Sequence, residues 1–146
     1  MCRIWYTAHV SKKRKLRAGD HAQLAEAEKQ GKKVPAIFYC TEAGGEPVRE
    51  WLKDFSPDDR KRIGEDIKTA EFGWAIGMPV CRPLGNGIYE VRTSVAQNRI
   101  ARVLFYIDKT GQMVLLHGFI KKSQKAPVED LDLAKSNKNK HQFGLK

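Results

Sequence analysis

The sequence predicts an α+β domain: a small antiparallel sheet with two N-terminal helices packed on one face, followed by a C-terminal helix. Three observations carry this. Residues 46 to 74 hold two successive helical stripes, residues 88 to 120 hold three apolar, β-branched runs, and the turn sequence DKTG at 108 to 111 joins the last two runs into a hairpin. With 146 residues, the chain fits one domain that buries roughly two-thirds of its unfolded surface and needs no disulfide staples.

Each element has its own grounds. Residues 34 to 41, VPAIFYCT, read as a strand, and Pro35 confines its start to an edge or an end. Val48, Trp51, Leu52 and Phe55 fall at i, i+3, i+4 and i+7, the stripe of a helix with Pro47 in its first turn. A second helix follows, with Ser56 as N-cap, Pro57 at N1 and Asp58 and Asp59 in the positive first turn; Ile63, Ile67, Ala70 and Trp74 continue one face. The punctuation GWAIGMP ends it. In GIYEVRT, Tyr89 and Val91 alternate with Glu90 and Arg92; residues 99 to 107 and 113 to 120 are the other two strands. Pro127 opens the last helix through Val128, Leu131 and Ala134, and KSNKNKHQFGLK reads as a frayed polar tail. Upstream, the basic run SKKRKLR precedes a helix-prone stretch with Asp20 as N-cap. The expected layout is a basic extension over residues 1–33, a compact domain over 34–135, and a polar, disordered tail over 136–146.

Composition narrows the function. The net charge is +10, and it is uneven: residues 1–34 hold nine Lys/Arg against three Asp/Glu, residues 35–110 eleven against eleven, and residues 111–146 seven against three. Basic ends attract polyanions, nucleic acid first among them, although an acidic protein partner or a merely solvated surface fits the same charge. Cys2, Cys40 and Cys81 are odd in number and lack metal spacing, and the four histidines are scattered, so neither disulfide, metal nor cofactor is expected. No apolar run approaches membrane-spanning length, and the opening MCRIWYTAHV lacks the basic start and long apolar stretch of a signal peptide. The expectation is a soluble, cytoplasmic protein without membrane partners.

Period-two alternation places Glu90 and Arg92 on one sheet face, and Arg102 is the lone charge among Ile100, Leu104 and Tyr106. A guanidinium there needs a carboxylate such as Glu90, or a face open to an anionic ligand. Arg99 begins the same strand. Lys121, Lys122, Gln124 and Lys125 follow where the last strand leaves the sheet, and beside Arg92 and Arg102 they would grip phosphate. His117 is either a proton-transfer group or a satisfied core residue. Tyr89 and Tyr106 either stack on bases or belong to the core.

Together, VPAIFY, LGNGIYEVRTSVAQNRIARVLFYI, MVLLHGFIKKSQKAP and the helix after them resemble the RelE/ParE superfamily of type II toxin-antitoxin toxins, in its phage-derived, HigB-like branch. The resemblance covers roughly residues 34–135. It implies a microbial-RNase-like fold and metal-independent, ribosome-dependent cleavage of mRNA that inhibits translation. It also implies a cognate antitoxin, of helix-turn-helix type in this branch, forming a hetero-oligomer with the toxin. On that pattern Arg102 contacts the scissile phosphate, Glu90 is the general base, Arg92 holds developing charge, and Lys122 or His117 assists the leaving oxygen; Arg99, Lys121, Lys122, Gln124 and Lys125 bind RNA. The chain departs from the pattern in having no Tyr or His after its last strand. Two rival readings share the fold: a ParE-like, non-enzymatic toxin acting on DNA gyrase, and a phage-derived nucleic-acid-binding protein without toxicity.

Overall fold

In a computed structural model that describes residues 31–75, 81–121 and 128–144, the chain runs β1 (Ala36–Phe38), α1 (Pro47–Leu52), α2 (Pro57–Gly73), β2 (Cys81–Gly85), β3 (Ile88–Val95), β4 (Arg99–Ile107), β5 (Met113–Lys121) and α3 (Val128–Gly144). The basic run and the helix-prone stretch before residue 31 lie outside the described residues. The five strands form one sheet in the order β1-β5-β4-β3-β2, with β1 parallel to β5 and the other neighbours antiparallel.

The two helical stripes explain one face. Val48 and Leu52 of α1 and Ile63, Ile67 and Ala70 of α2 are buried against Val91, Val103, Phe105, Met113 and Leu115 of the sheet, each large side chain contributing roughly 1.5–3 kcal/mol of burial. Ser56 caps α2 as the sequence predicts, its hydroxyl accepting from the Asp59 amide at 3.2 Å. Asp59 then reaches across the layers: its carboxylate accepts from the Ala96 amide at 3.1 Å and pairs with Arg99 at 3.4 Å, tying the start of α2 to the β3–β4 loop. Gly118 of β5 has no side chain because none fits there. A Cβ would sit 2.4 Å from the Trp51 ring of α1.

At the other end of α2, Glu71 is fully buried. Its carboxylate accepts from the Ala36 amide at 2.7 Å and pairs with Lys32 at 3.2 Å, while its carbonyl accepts from the amides of Lys33 and Val34. Burial pushes the Glu71 carboxyl above its ordinary value, against the pull of Lys32. Lys32 and Lys33, counted with the extension on sequence, are thus bound to the folded domain.

Three features depart from the expectation. First, β2 is an additional strand: Pro83 suits it because it lies at the sheet edge, and Gly85, Asn86 and Gly87, all with positive φ, turn it into β3. Second, α3 runs on to Gly144, so residues 136–144 are helical and not a frayed tail. Its docking stripe is polar. Asp130, Ala134, Asn137 and His141 recur at i, i+4, i+7 and i+11; Ala134 and Asn137 are buried, and the Asn137 side-chain amide donates to the Leu116 carbonyl at 2.9 Å. The apolar stripe expected there holds in part, for Val128 is 72% exposed. Third, β5 carries a bulge. Phe105 pairs with Leu115 but Leu104 pairs with His117, leaving Leu116 as the extra residue.

Candidate functional site: an arginine cluster on the α3 face of the sheet

Strand register sets the site out in rows. Arg82, Glu90, Leu104 and His117 lie side by side across β2, β3, β4 and β5, and the next row holds Arg92, Arg102 and Phe119. Directly opposed residues of an antiparallel pair share a face, so all of these belong to the face that α3 partly covers. The bulge decides His117's place here: by strict alternation from Met113 it would point at α1 and α2.

Alternation placed Glu90 and Arg92 on one face; the strand register brings Arg102 to the same face, and Glu90 and Arg102 close into an ion pair. The Arg102 guanidinium donates to Glu90 Oε1 at 2.6 Å, with Arg102 4% exposed and Glu90 0%. Of the two options open on sequence, the paired one is the geometry observed. Burial pulls the Arg102 pKa below its ordinary value; Glu90 opposes this, and Arg92 and Arg82 add to it. Among the described residues, Glu90 Oε2 and Arg102 Nε have no hydrogen-bond partner. Arg92, half-buried, and Arg82, exposed, present the charge that solvent meets. Three guanidinium groups around one carboxylate leave the patch positive, and like charges directly opposed on a sheet repel.

His117 is half-buried and belongs to a chain of contacts. Its Nε2 lies 2.6 Å from Asp130 Oδ1 in the first turn of α3, and its ring stacks on Phe119 at 5.8 Å. Farther along α3, the Tyr106 hydroxyl and His141 Nδ1 share a hydrogen bond at 2.6 Å. Burial raises the Tyr106 pKa and lowers that of His141, favouring the uncharged forms of both. Tyr89 packs against Trp74 and Phe105 in the two-helix core. Both tyrosines are therefore engaged within the domain.

The remaining candidates divide. Arg99 pairs with Asp59 and, opposite Val95, lies on the α1/α2 face, away from Arg102. Lys121 continues the row of Ser94 and Ile100 at the end of β5. Lys122, Gln124 and Lys125 lie outside the described residues. Arg82 and Asp130 are additions that sequence reading missed. Arg82 rides on the unforeseen edge strand, whose available signal was the GNG turn; Asp130 sits in a helix whose docking residues are polar. Among the described residues, no three His, Cys, Asp or Glu side chains converge to hold a metal, and no helix is long and apolar enough to cross a membrane.

A family model described as phage derived protein Gp49-like (DUF891) matches residues 50–139, a span that includes every residue of the two rows and Asp130. Comparison with curated proteins gave no match.

Proposed function

The chain belongs to the Gp49-like family of phage-derived proteins, within the RelE/ParE-like toxin superfamily, and on that premise we propose that it is the toxin of a type II toxin-antitoxin pair, a HigB-like endoribonuclease that cuts mRNA on the ribosome. The observation that carries the reading is Arg92 directly opposite Arg102, with Arg82 beside them. Guanidinium groups set side by side by the strand register suit the charge that grows on phosphate when the RNA 2′-hydroxyl attacks its own 3′-phosphodiester. The products of that attack are a 2′,3′-cyclic phosphate and a free 5′-hydroxyl.

Glu90 has no accessible surface and is engaged by Arg102, so its role is to position that guanidinium. Taking the 2′-hydroxyl proton passes to His117, whose ring Asp130 orients. Lys122 remains the candidate for assisting the departing 5′-oxygen. The ribosome supplies substrate geometry, which reduces what the site alone must do. The partners are the ribosome, mRNA and an antitoxin, of helix-turn-helix type in this reading, with which the toxin forms a hetero-oligomer.

In vitro translation with mapping of mRNA 5′ ends tests the reading. Cuts are expected only when ribosomes are present. The closed Glu90–Arg102 pair favours one rival, a ParE-like toxin that grips gyrase without chemistry; gyrase-dependent DNA breaks while translation continues would put that reading in place of ours.

A further inference from the structure

β2 pairs with β3 only as far as Cys81 and Val91, so from Arg92 onward β3 has β4 on one side and no described strand on the other. A cleft of about 510 Å³ opens there, lined by Arg92, Ser94 and Ile100 from the arginine face, Thr93 from the face toward α2, and Arg62, Glu65 and Asp66 of α2. It therefore passes around the sheet edge from the arginine cluster to α2. Its size is within the range of small-molecule sites.

Two observations mark it as built for a ligand. The side chains of Arg62, Glu65, Asp66 and Arg92 make no hydrogen bond or ion pair among the described residues, although they share one cleft. Thr93, 3% exposed, has a hydroxyl without a hydrogen-bond partner among the described residues. The carboxylates of the cleft are confined to its α2 side, where Glu65 and Asp66 stand with Arg62, and cationic Arg92 lies across from them beside the phosphate site. Carboxylates repel phosphate and accept N–H donors, so a ligand filling this space carries an anion at one end and donors at the other. A nucleotide has that arrangement. Among the four RNA bases, guanine alone offers two adjacent donors, N1–H and N2–H, on its pairing edge, and these match the two oxygens of one carboxylate; adenine and cytosine offer one amine beside an acceptor, and uracil a single imino N–H between two acceptors.

We propose that this cleft is a guanine-binding subsite, with Arg92 on the nucleotide's phosphate, Glu65 or Asp66 on the N1–H and N2–H edge, and Ile100 against the base plane. It deepens the nuclease reading, on which it rests, by naming the nucleotide held beside the scissile phosphate.

The test titrates the intact protein with the four nucleoside 3′-monophosphates, following backbone amide shifts by NMR, with mRNA cleavage assayed on the same preparation. Guanosine 3′-monophosphate is expected to bind at least about tenfold more tightly than the other three, with shifts at Arg92, Ser94, Ile100 and Asp66. The double variant Glu65→Gln, Asp66→Asn should erase that preference, and Arg92→Gln should weaken all four nucleotides alike. Both α2 changes keep side-chain size near the protein surface, and a melting curve checks the fold. Equal affinities for the four nucleotides, shifts elsewhere, or no binding at millimolar concentration would overturn the proposal, even if mRNA is still cut. Guanosine selectivity in a protein that cuts nothing would instead keep the subsite and remove the nuclease.

Discussion

At the scale of single residues, Arg92 and Arg102 look alike in sequence and differ in what their removal costs. Arg102→Ala strands the buried Glu90 carboxylate, a loss of about 3–5 kcal/mol when one member of a buried pair is taken away, and it should lower the melting temperature as well as cleavage. Arg92→Ala has no described partner to strand. It should cut activity roughly a hundred- to a thousandfold, the scale for one preorganised donor, at an unchanged melting temperature. Equal melting losses in the two variants would show that Arg92 is structural. Gly118→Ala tests the opposite face: its methyl group would drive into Trp51, costing about 1–3 kcal/mol through overpacking, measurable as a shifted urea midpoint with altered tryptophan fluorescence. Alternation sufficed to bring Glu90 and Arg92 together on paper, with Arg102 only a candidate partner. Which charge the carboxylate takes depends on register across two strands, and one strand's pattern does not contain it.

At the scale of elements, α3 is held by polar contacts, and this is why its length was illegible. A stripe of Asp130, Ala134, Asn137 and His141 carries no apolar period, so the stretch through Asn137 reads as a tail until the bulge supplies a carbonyl for it. Asn137→Ala should leave that buried carbonyl unpaired, cost about 1–3 kcal/mol, and raise hydrogen exchange along α3 before the rest of the domain. The far end of the helix should respond to acid. Burial holds the His141 pKa below its ordinary 6.5, so below that pH the unfolded chain binds the proton more readily than the folded one. The contribution is intact above about 6.5 and is lost as pH falls from there through the folded value. Melting curves between pH 7.5 and 5 should show the native protein losing stability that a His141→Gln variant does not lose. By contrast the start of α2 was legible to the residue, because Ser56 and Pro57 state it locally, while α1 was placed correctly but ends at Leu52, short of the Phe55 that its apolar stripe included. β2 was not, since Pro83 argues against a strand unless the strand is known to lie at an edge.

At the scale of the whole molecule, charge is the property that reaches farthest. A +10 protein attracts polyanions over a Debye length, and on the function proposed above an acidic antitoxin surface would associate fastest. Replacing Lys121, Lys122 and Lys125 together with Gln should flatten the salt dependence of RNA binding, by about 0.7 in log-log slope for each single-strand phosphate that is no longer neutralised. An unchanged slope would mean that these lysines face only water.

The extra residue in β5 has a consequence of another kind. Up to Leu115 the strand keeps one phase and from His117 onward it keeps the other, so Leu116 works as an insertion that resets which side each later side chain faces. Keep Leu116 but straighten the bulge, and unbroken alternation would turn the imidazole and the Phe119 ring toward Trp51 and present Gly118 to the arginines. The identity of every residue would be unchanged, yet the arginine face would be taken apart. In this strand the bulge matters more than most substitutions, because the parity of the count, as much as the letters, assigns the face.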